Sequence, residues 1–313
     1  MSFSSDVRME LSHIQVERAC DARAELCAAV LTSSGMSFKG KGRYGLSFQS
    51  ESRDVIERFM AMLTKYLGTR SEISIRHTDR LGGQTFYVLT PSEETMPGIL
   101  DALMLLDPKA PFGMRVAPAG ELLQKDCCRR AFLRGAFLLG GTITAPMKAY
   151  HLEIASGAEA LSRAIAAVLH SYELPARLAP RKGQFVVYLK DADRIADLLG
   201  LIGAHKALLE LENVRVEKGI RNEVNRQVNC DQNNLDKTVA AGEKQVSIIN
   251  TIDRLMGLSA LPETLKEIAE LRMMHPDASF SDLGAMATPE IGKSGVSARM
   301  RRLEAIAEEL VNQ

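Results

Sequence analysis

Apolar residues recur at helical spacing in CDARAELCAAVLTSSG (20–35) and again in CCRRAFLRGAFLLGGT (127–142). The two blocks also match by position: Cys20 with Cys127, Ala24 with Ala131, Leu26 with Leu133, Ala29 with Ala136 and Leu31 with Leu138. Spacings of three and four put one apolar face on each block, which predicts two helices. Strict alternation follows in YGLSFQS (44–50) and YHLEIAS (150–156), the period of a strand with one buried face. Amphipathic helices come next, RDVIERFMAMLTKYL (53–67) and AEALSRAIAAVLHSY (158–172). Strand signals ending in TFYVLT (85–90) and FVVYLK (185–190) lead to closing helices near 93–106 and 192–203. One αββαββα unit of roughly a hundred residues is therefore used twice.

The second leading helix carries a glycine inside it, Gly135, and a pair at its end, Gly140 and Gly141. A mid-helix glycine costs roughly 1 kcal/mol relative to alanine, so something must be gained there. Ala24 and Ala28 lie four apart in the first helix, as do Ala131 and Gly135 in the second, so each pair shares a face. Small residues on facing helices allow close approach at a pseudo-twofold axis. The Gly140–Gly141 pair is expected to end the helix and turn the chain into the next strand.

Beyond about residue 210 the pattern changes. NEVNRQVNCDQNNLDKTVAAGEKQ (222–245) holds Asn222, Asn225, Asn229, Asn233 and Asn234. Asparagine favours caps and turns over helix interiors, so residues 211–237 are expected to form a linker or hinge. A helix of about 238–256 is expected next, and another opens at LPETLKEIAEL and stops before Pro276. Ser279 and Asp282 then form a capping-box start for a short helix near 280–287. TPEIG (288–292) reads as a turn, and a helix from about Lys293 to Leu310 follows, with an apolar stripe of Val296, Met300, Leu303, Ile306 and Leu310.

That last helix is polarised. Its bases sit between Lys293 and Leu303, while Glu304, Glu308 and Glu309 fill the far end. A short helix, a turn and a helix basic at its N-terminal end make a helix-turn-helix, whose second helix meets the DNA major groove with its first turns. Opposite the stripe, helical arithmetic places Ser294, Ser297, Ala298 and Arg301 as candidates for base edges. It places Lys293, Arg299 and Arg302 on the flanks as candidates for phosphates.

Composition changes little in this picture. With 46% hydrophobic and 25% charged residues the chain has the profile of a soluble globular protein. No run nears the ~18 apolar residues that span a bilayer, so no membrane role is expected. The charged start MSFSSDVRMELSHI lacks the apolar core of an export signal. Five cysteines without a CxxC pair suit a reducing cytoplasm. A formal net charge of zero does not exclude a polyanionic partner, because the charge is laid out in patches. His13, His77, His151, His170, His205 and His275 are scattered without metal-binding spacing, and no hydrolase set is identifiable. FKGKGRYG (38–45) lacks the spacing and terminal Lys-Ser/Thr of a P-loop.

A duplicated αββαββα unit with this leading helix resembles the LAGLIDADG homing endonuclease fold. The resemblance implies an acidic residue at the end of each leading helix, holding a catalytic divalent cation through carboxylate oxygen. Laying the motif on LCAAVLTSS and LRGAFLLGG puts those positions at Ser33 and Gly140, neither of which supplies a carboxylate. Asp21, Glu25 and Asp126 lie towards the other end of the same helices. The nuclease chemistry is therefore read as absent. A DNA-facing saddle is the feature that survives in this resemblance, with Lys39, Lys41, Arg43, Arg76, Arg80, Arg177, Arg181 and Lys182 as candidate phosphate contacts or, equally, solvated hairpin charges.

Adding the C-terminal half narrows the resemblance to the WhiA family. It is carried by MSFSSDVRMEL, CCRRAFLRGAFLLGGTI with YHLEI, VNRQVNCDQNNLDKTVAA and GKSGVSARMRRL. The resemblance implies a sequence-specific transcription regulator of cell-division and sporulation genes, located with the nucleoid in the cytoplasm. It implies promoter DNA as partner and recognition chiefly through the C-terminal domain.

The expected architecture is α+β. Residues 1–210 form the LAGLIDADG-like pseudo-twofold domain, with repeats at about 20–106 and 127–210. The 211–237 linker follows, then an all-α domain at 238–313 with the helix-turn-helix near 280–313. No cofactor, metal or catalytic residue is expected. Two other functions stay open on the residues alone. One is a nuclease using acids outside the motif; the other is an interaction protein that docks a second regulator or RNA polymerase.

Overall fold

The computed structural model describes residues 2–33, 35–40, 43–78 and 83–312, which leaves the candidates Lys41 and Arg80 outside the described residues. The chain divides into two compact units, Met1–Glu217 and Lys218–Gln313.

The first unit opens on a helix that the polar look of the N-terminus conceals, α1 (Phe3–Ser12). Phe3, Val7 and Leu11 recur every four residues and are buried. Ser4 fixes α1 by donating to the Ile143 carbonyl and accepting from the Ile143 N–H, both at 2.8 Å. The first repeat then runs α2 (Ala19–Thr32), β1 (Ser37–Phe38), β2 (Tyr44–Gly45), β3 (Phe48–Ser50), α3 (Arg53–Leu67), β4 (Ser71–Thr78), β5 (Gln84–Pro91) and α4 (Met96–Ala102). The second runs α5 (Asp126–Gly140), β6 (Gly141–Ile143), β7 (Leu152–Ser156), α6 (Glu159–His170), β8 (Arg177–Arg181), β9 (Gln184–Leu189) and α7 (Ala192–Ile202).

Both sheets are antiparallel, with orders β3-β5-β4 and β6-β7-β9-β8. They differ at the first strand. In the second repeat β6 joins the main sheet, whereas β1 and β2, among the described residues, pair only with each other. Helices cover the buried faces, and the apolar side chains of both repeats merge into one core.

α2 and α5 run through the middle of that core, with Ala24, Ala28 and Ala131 at most 1% exposed. A β-carbon on Gly135 would lie 2.2 Å from the Glu25 carbonyl oxygen and 3.1 Å from the Ala28 β-carbon. The close approach therefore admits no side chain there. The Gly140–Gly141 pair ends α5 and leads the chain into β6, without a left-handed residue at Gly141. Gly141 has φ −82°, ordinary for any residue, and what it needs is room, since its β-carbon would lie 2.3 Å from the Phe137 ring.

The least expected feature at this crossing is ionic. Glu25, fully buried on α2, accepts from Arg58 of α3 (Nε to Oε1 2.5 Å, a second guanidinium nitrogen to Oε2 2.9 Å) and from Arg134 of α5 at 3.2 Å. Arg58 also donates to the carbonyls of Ser12 and Ile14, and Arg134 to that of Ile202. One carboxylate thus gathers cations from two other helices.

The asparagine-rich stretch corrects the expectation of an irregular linker. It lies inside one helix, α8 (His205–Met256), 52 residues long. Residues 221–237 are exposed, so the asparagines keep their water and carry only their modest intrinsic helix penalty, about 0.5–0.7 kcal/mol each. Gln232 donates to Asp236 at 2.8 Å one turn on.

The second unit continues with α9 (Glu263–Met274), α10 (Phe280–Met286) and α11 (Lys293–Val311). Its core joins Ile249 and Ile252 of α8 to Leu265, Ile268, Leu283, Val296, Met300 and Leu303. None of the described helices is long and apolar enough to cross a membrane.

Candidate nucleic-acid interface

α10 begins on a complete capping box. Asp282 N–H donates to Ser279 Oγ at 3.3 Å, and Asp282 Oδ2 accepts from Ser279 N–H at 3.1 Å and from its hydroxyl at 2.7 Å. These bonds, the hydroxyl's foremost, hold the Asp282 carboxyl below the usual carboxylate range. Between α10 and α11 the chain turns back on Gly284, whose carbonyl accepts from Ile291 N–H at 3.0 Å. A β-carbon on Gly284 would lie 2.1 Å from the Ile291 carbonyl oxygen, so the turn closes only over a glycine.

α9 supports this pair of helices with two charged residues. Glu267 accepts from the Thr288 N–H of the turn at 2.5 Å and lies 3.7 Å from Arg299 of α11. Arg272, 2% exposed, donates to the carbonyls of His275, Pro276 and Ala278 at 3.2, 3.0 and 2.7 Å, fixing the loop that leads into α10. Burial pulls its guanidinium below the usual arginine range, and Asp277 opposes that shift. Sequence reasoning missed Gly284, Glu267 and Arg272. Only Gly284 carried a signal, a glycine inside a short helix, the same mark that singled out Gly135.

The seven residues proposed on α11 separate into two groups. Lys293, Ser294, Ala298, Arg301 and Arg302 are exposed. Among the described residues, Lys293, Arg301 and Arg302 have no carboxylate within ion-pair distance, and Arg301 donates only to Ser297 at 3.3 Å. Ser297 and Arg299 are half-buried. Ser297 lines a groove with Lys244 and Glu304, themselves joined at 2.8 Å. Arg299 reaches the Thr264 carbonyl as well as Glu267, so it ties α11 to α9. Arg302, placed on a flank by helical arithmetic, is exposed, as Arg301 is.

In the first unit the positions where the resembled fold carries metal-binding acids are built for other purposes. Ser33 caps the C-terminal end of α2, and its hydroxyl donates to the Val30 carbonyl at 2.9 Å. A β-carbon on Gly140 would lie 2.4 Å from the Ala155 carbonyl oxygen and 2.6 Å from the Thr32 methyl. An acid cannot be placed there without moving backbone. Gly140→Asp is accordingly expected to cost about 1–3 kcal/mol, read as a lower urea midpoint at unchanged slope.

The described saddle candidates are all exposed, but Lys39 pairs with Glu93 and Arg181 with Glu153, whereas Arg43, Arg76, Arg177 and Lys182 have no carboxylate within ion-pair distance among the described residues.

Three family models match the chain. They are the WhiA N-terminal LAGLIDADG-like domain over residues 19–106, the WhiA LAGLIDADG-like domain over 129–221 and the WhiA C-terminal HTH domain over 224–307. The chain is 40% identical to the probable cell division protein WhiA of Heliobacterium modesticaldum, covering 100% of this chain and 98% of that protein. It is also 40% identical to the protein of the same name from Alkaliphilus metalliredigens, with 98% of both covered. Among solved structures it is similar to full-length DUF199/WhiA from Thermatoga maritima, with a TM-score of 0.61 at 24% identity and 99% of both chains covered.

Proposed function

The chain belongs to the WhiA family, and from that membership together with the geometry of α11 we propose that it is a sequence-specific DNA-binding regulator of cell-division genes, and of sporulation genes where the organism sporulates. The observation that carries the proposal is the front of α11. Three cations without carboxylate partners among the described residues and two small residues, Ser294 and Ala298, project from a helix whose back is packed and whose flank is tied to α9. A helix about 10–12 Å across fits the DNA major groove, about 12 Å wide. The first turns of α11 would enter it. Ser294 and Ala298 leave room for close approach, Arg301 and Arg302 reach base edges or the adjoining phosphates, and Lys293 grips the backbone. Arg299 supports from behind, because its guanidinium is engaged by α9.

The LAGLIDADG-like unit serves in this reading as a non-catalytic scaffold, supported by a serine and a tightly packed glycine where carboxylates are required. Nucleoid-associated placement in the cytoplasm follows from DNA as partner. Docking a second regulator or RNA polymerase is compatible with the same scaffold.

Footprinting of the purified chain on promoter DNA tests the central statement. A discrete protected site without added proteins is the expected result, and protection that requires another protein would transfer the reading role to that partner. Incubating plasmid with the chain and magnesium or manganese tests the non-catalytic statement; cleavage that a chelator abolishes would overturn it. Within the site, Arg301→Ala is expected to cost about 1–3 kcal/mol on the preferred sequence and to relax selectivity at one base pair. Lys293→Ala is expected to weaken all sequences alike. Selection from a randomised pool distinguishes the two, and unchanged selectivity in Arg301→Ala would remove Arg301 from the base-reading face.

A further inference from the structure

At the opposite ends of the two central helices from Ser33 and Gly140, four side chains converge. Cys20 and Asp21 stand in the first turn of α2, and Cys127 and Cys128 in the first turn of α5. One ligand atom from each lies within 4.8 Å of all the others. Three of the six separations are 3.5 Å for Cys20 Sγ to Asp21 Oδ1, 3.9 Å for Cys127 Sγ to Cys128 Sγ, and 3.9 Å for Cys128 Sγ to Asp21 Oδ1.

We propose that these four residues form a structural zinc site, Cys3Asp, that clamps the N-terminal ends of α2 and α5 together. Zn–S bonds of about 2.3 Å in a tetrahedron place neighbouring sulfurs ~3.8 Å apart, and a carboxylate oxygen slightly closer. The observed separations fall near those edges, and the widest pair has to contract by only about 1 Å.

The donor set decides the metal class. Three thiols and one carboxylate select a borderline-soft tetrahedral ion over magnesium, which takes oxygen ligands in an octahedron. Charge is accommodated too. Zinc with three thiolates and a carboxylate carries a net −2, and the N-terminal ends of both helices present partial positive charge to it. Arg18, 3.4 Å from Asp21 Oδ2, adds a full one. Asp126 is a poor competitor for the ion, being held by Arg130 at 2.8 Å and by the Tyr172 hydroxyl at 2.8 Å. Three S–H bonds break as three Zn–S bonds form, and the three protons leave to solvent.

The four ligands come from two segments 107 residues apart. Binding would therefore restrict the unfolded chain and fix the crossing between the repeats. This site is independent of DNA recognition by α11.

The test is a cobalt titration of the full-length chain, stripped of metal and kept reduced without oxygen. The expected result is one equivalent of Co2+ per chain with thiolate-to-cobalt charge transfer and tetrahedral visible bands, displaced by one equivalent of zinc. The double variant Cys127→Ser, Cys128→Ser is expected to lose these bands and to weaken binding by more than about a hundredfold, while Cys230→Ser keeps both. Absence of thiolate charge transfer in the native chain would overturn the site, whatever the variants do. So would bands that persist in the double variant, or alkylation of the chain as isolated without oxygen and before any reductant is added, revealing a disulfide among Cys20, Cys127 and Cys128.

Discussion

Glu25→Gln is expected to destabilise the first unit by about 3–5 kcal/mol, the cost of removing one partner from a buried ion pair. The substitution keeps the shape of the side chain, removes its charge and turns one of its two accepting oxygens into a donor. Arg58 and Arg134, with side chains 5% and 14% exposed, would remain charged in a site that offers them carbonyls alone. Urea unfolding at constant slope gives the value. A loss below about 1 kcal/mol would mean that the arginines find water, and that the triad is no more than a surface pair.

The same site shows why some of the molecule is legible in sequence and some is not. The duplication is readable because each element carries its own period, as in RDVIERFMAMLTKYL, which forms α3 within the bounds expected, Arg53–Leu67. The helix-turn-helix is readable for a similar reason: capping box, turn and basic front all lie within one short stretch, from Ser279 to Arg302. By contrast, Glu25 meets Arg58 and Arg134 across separations of 33 and 109 residues, and nothing local marks such a pairing. The cysteine cluster is invisible for that reason too, since no CxxC spacing announces ligands drawn from two helices.

α8 departs from expectation through a different cause. Asparagine's preference for turns is real but small, and it yields in a helix where Glu223, Arg226, Gln227, Gln232 and Leu235, all good helix formers, stand among the asparagines. On α11 the helical period identifies which residues lie away from the core. It cannot show that Arg299 meets Glu267, because the position of α9 is a tertiary fact.

Replacing Lys293, Arg301 and Arg302 together with alanine is expected to reduce affinity for the preferred DNA site about a thousandfold at physiological salt. Each residue points to solvent without an acidic partner among the described residues, so stability should change by no more than about 0.5 kcal/mol per substitution. The loss would then report binding alone. Its ionic character supplies a second check. If the three cations displace counterions from phosphates, the slope of log affinity against log salt should become shallower by about 0.9 for each phosphate no longer neutralised. A slope shallower by about one or two, with base preference also relaxed, would divide the three between phosphates and bases, as Arg301 at a base edge requires. The alternative surface makes a distinct prediction. Arg43, Arg76, Arg177 and Lys182 stand exposed in the first unit, and a saddle that grips DNA would keep both the affinity and the full salt slope in the triple variant. Unchanged binding would therefore move recognition from α11 to the strands of the duplicated fold.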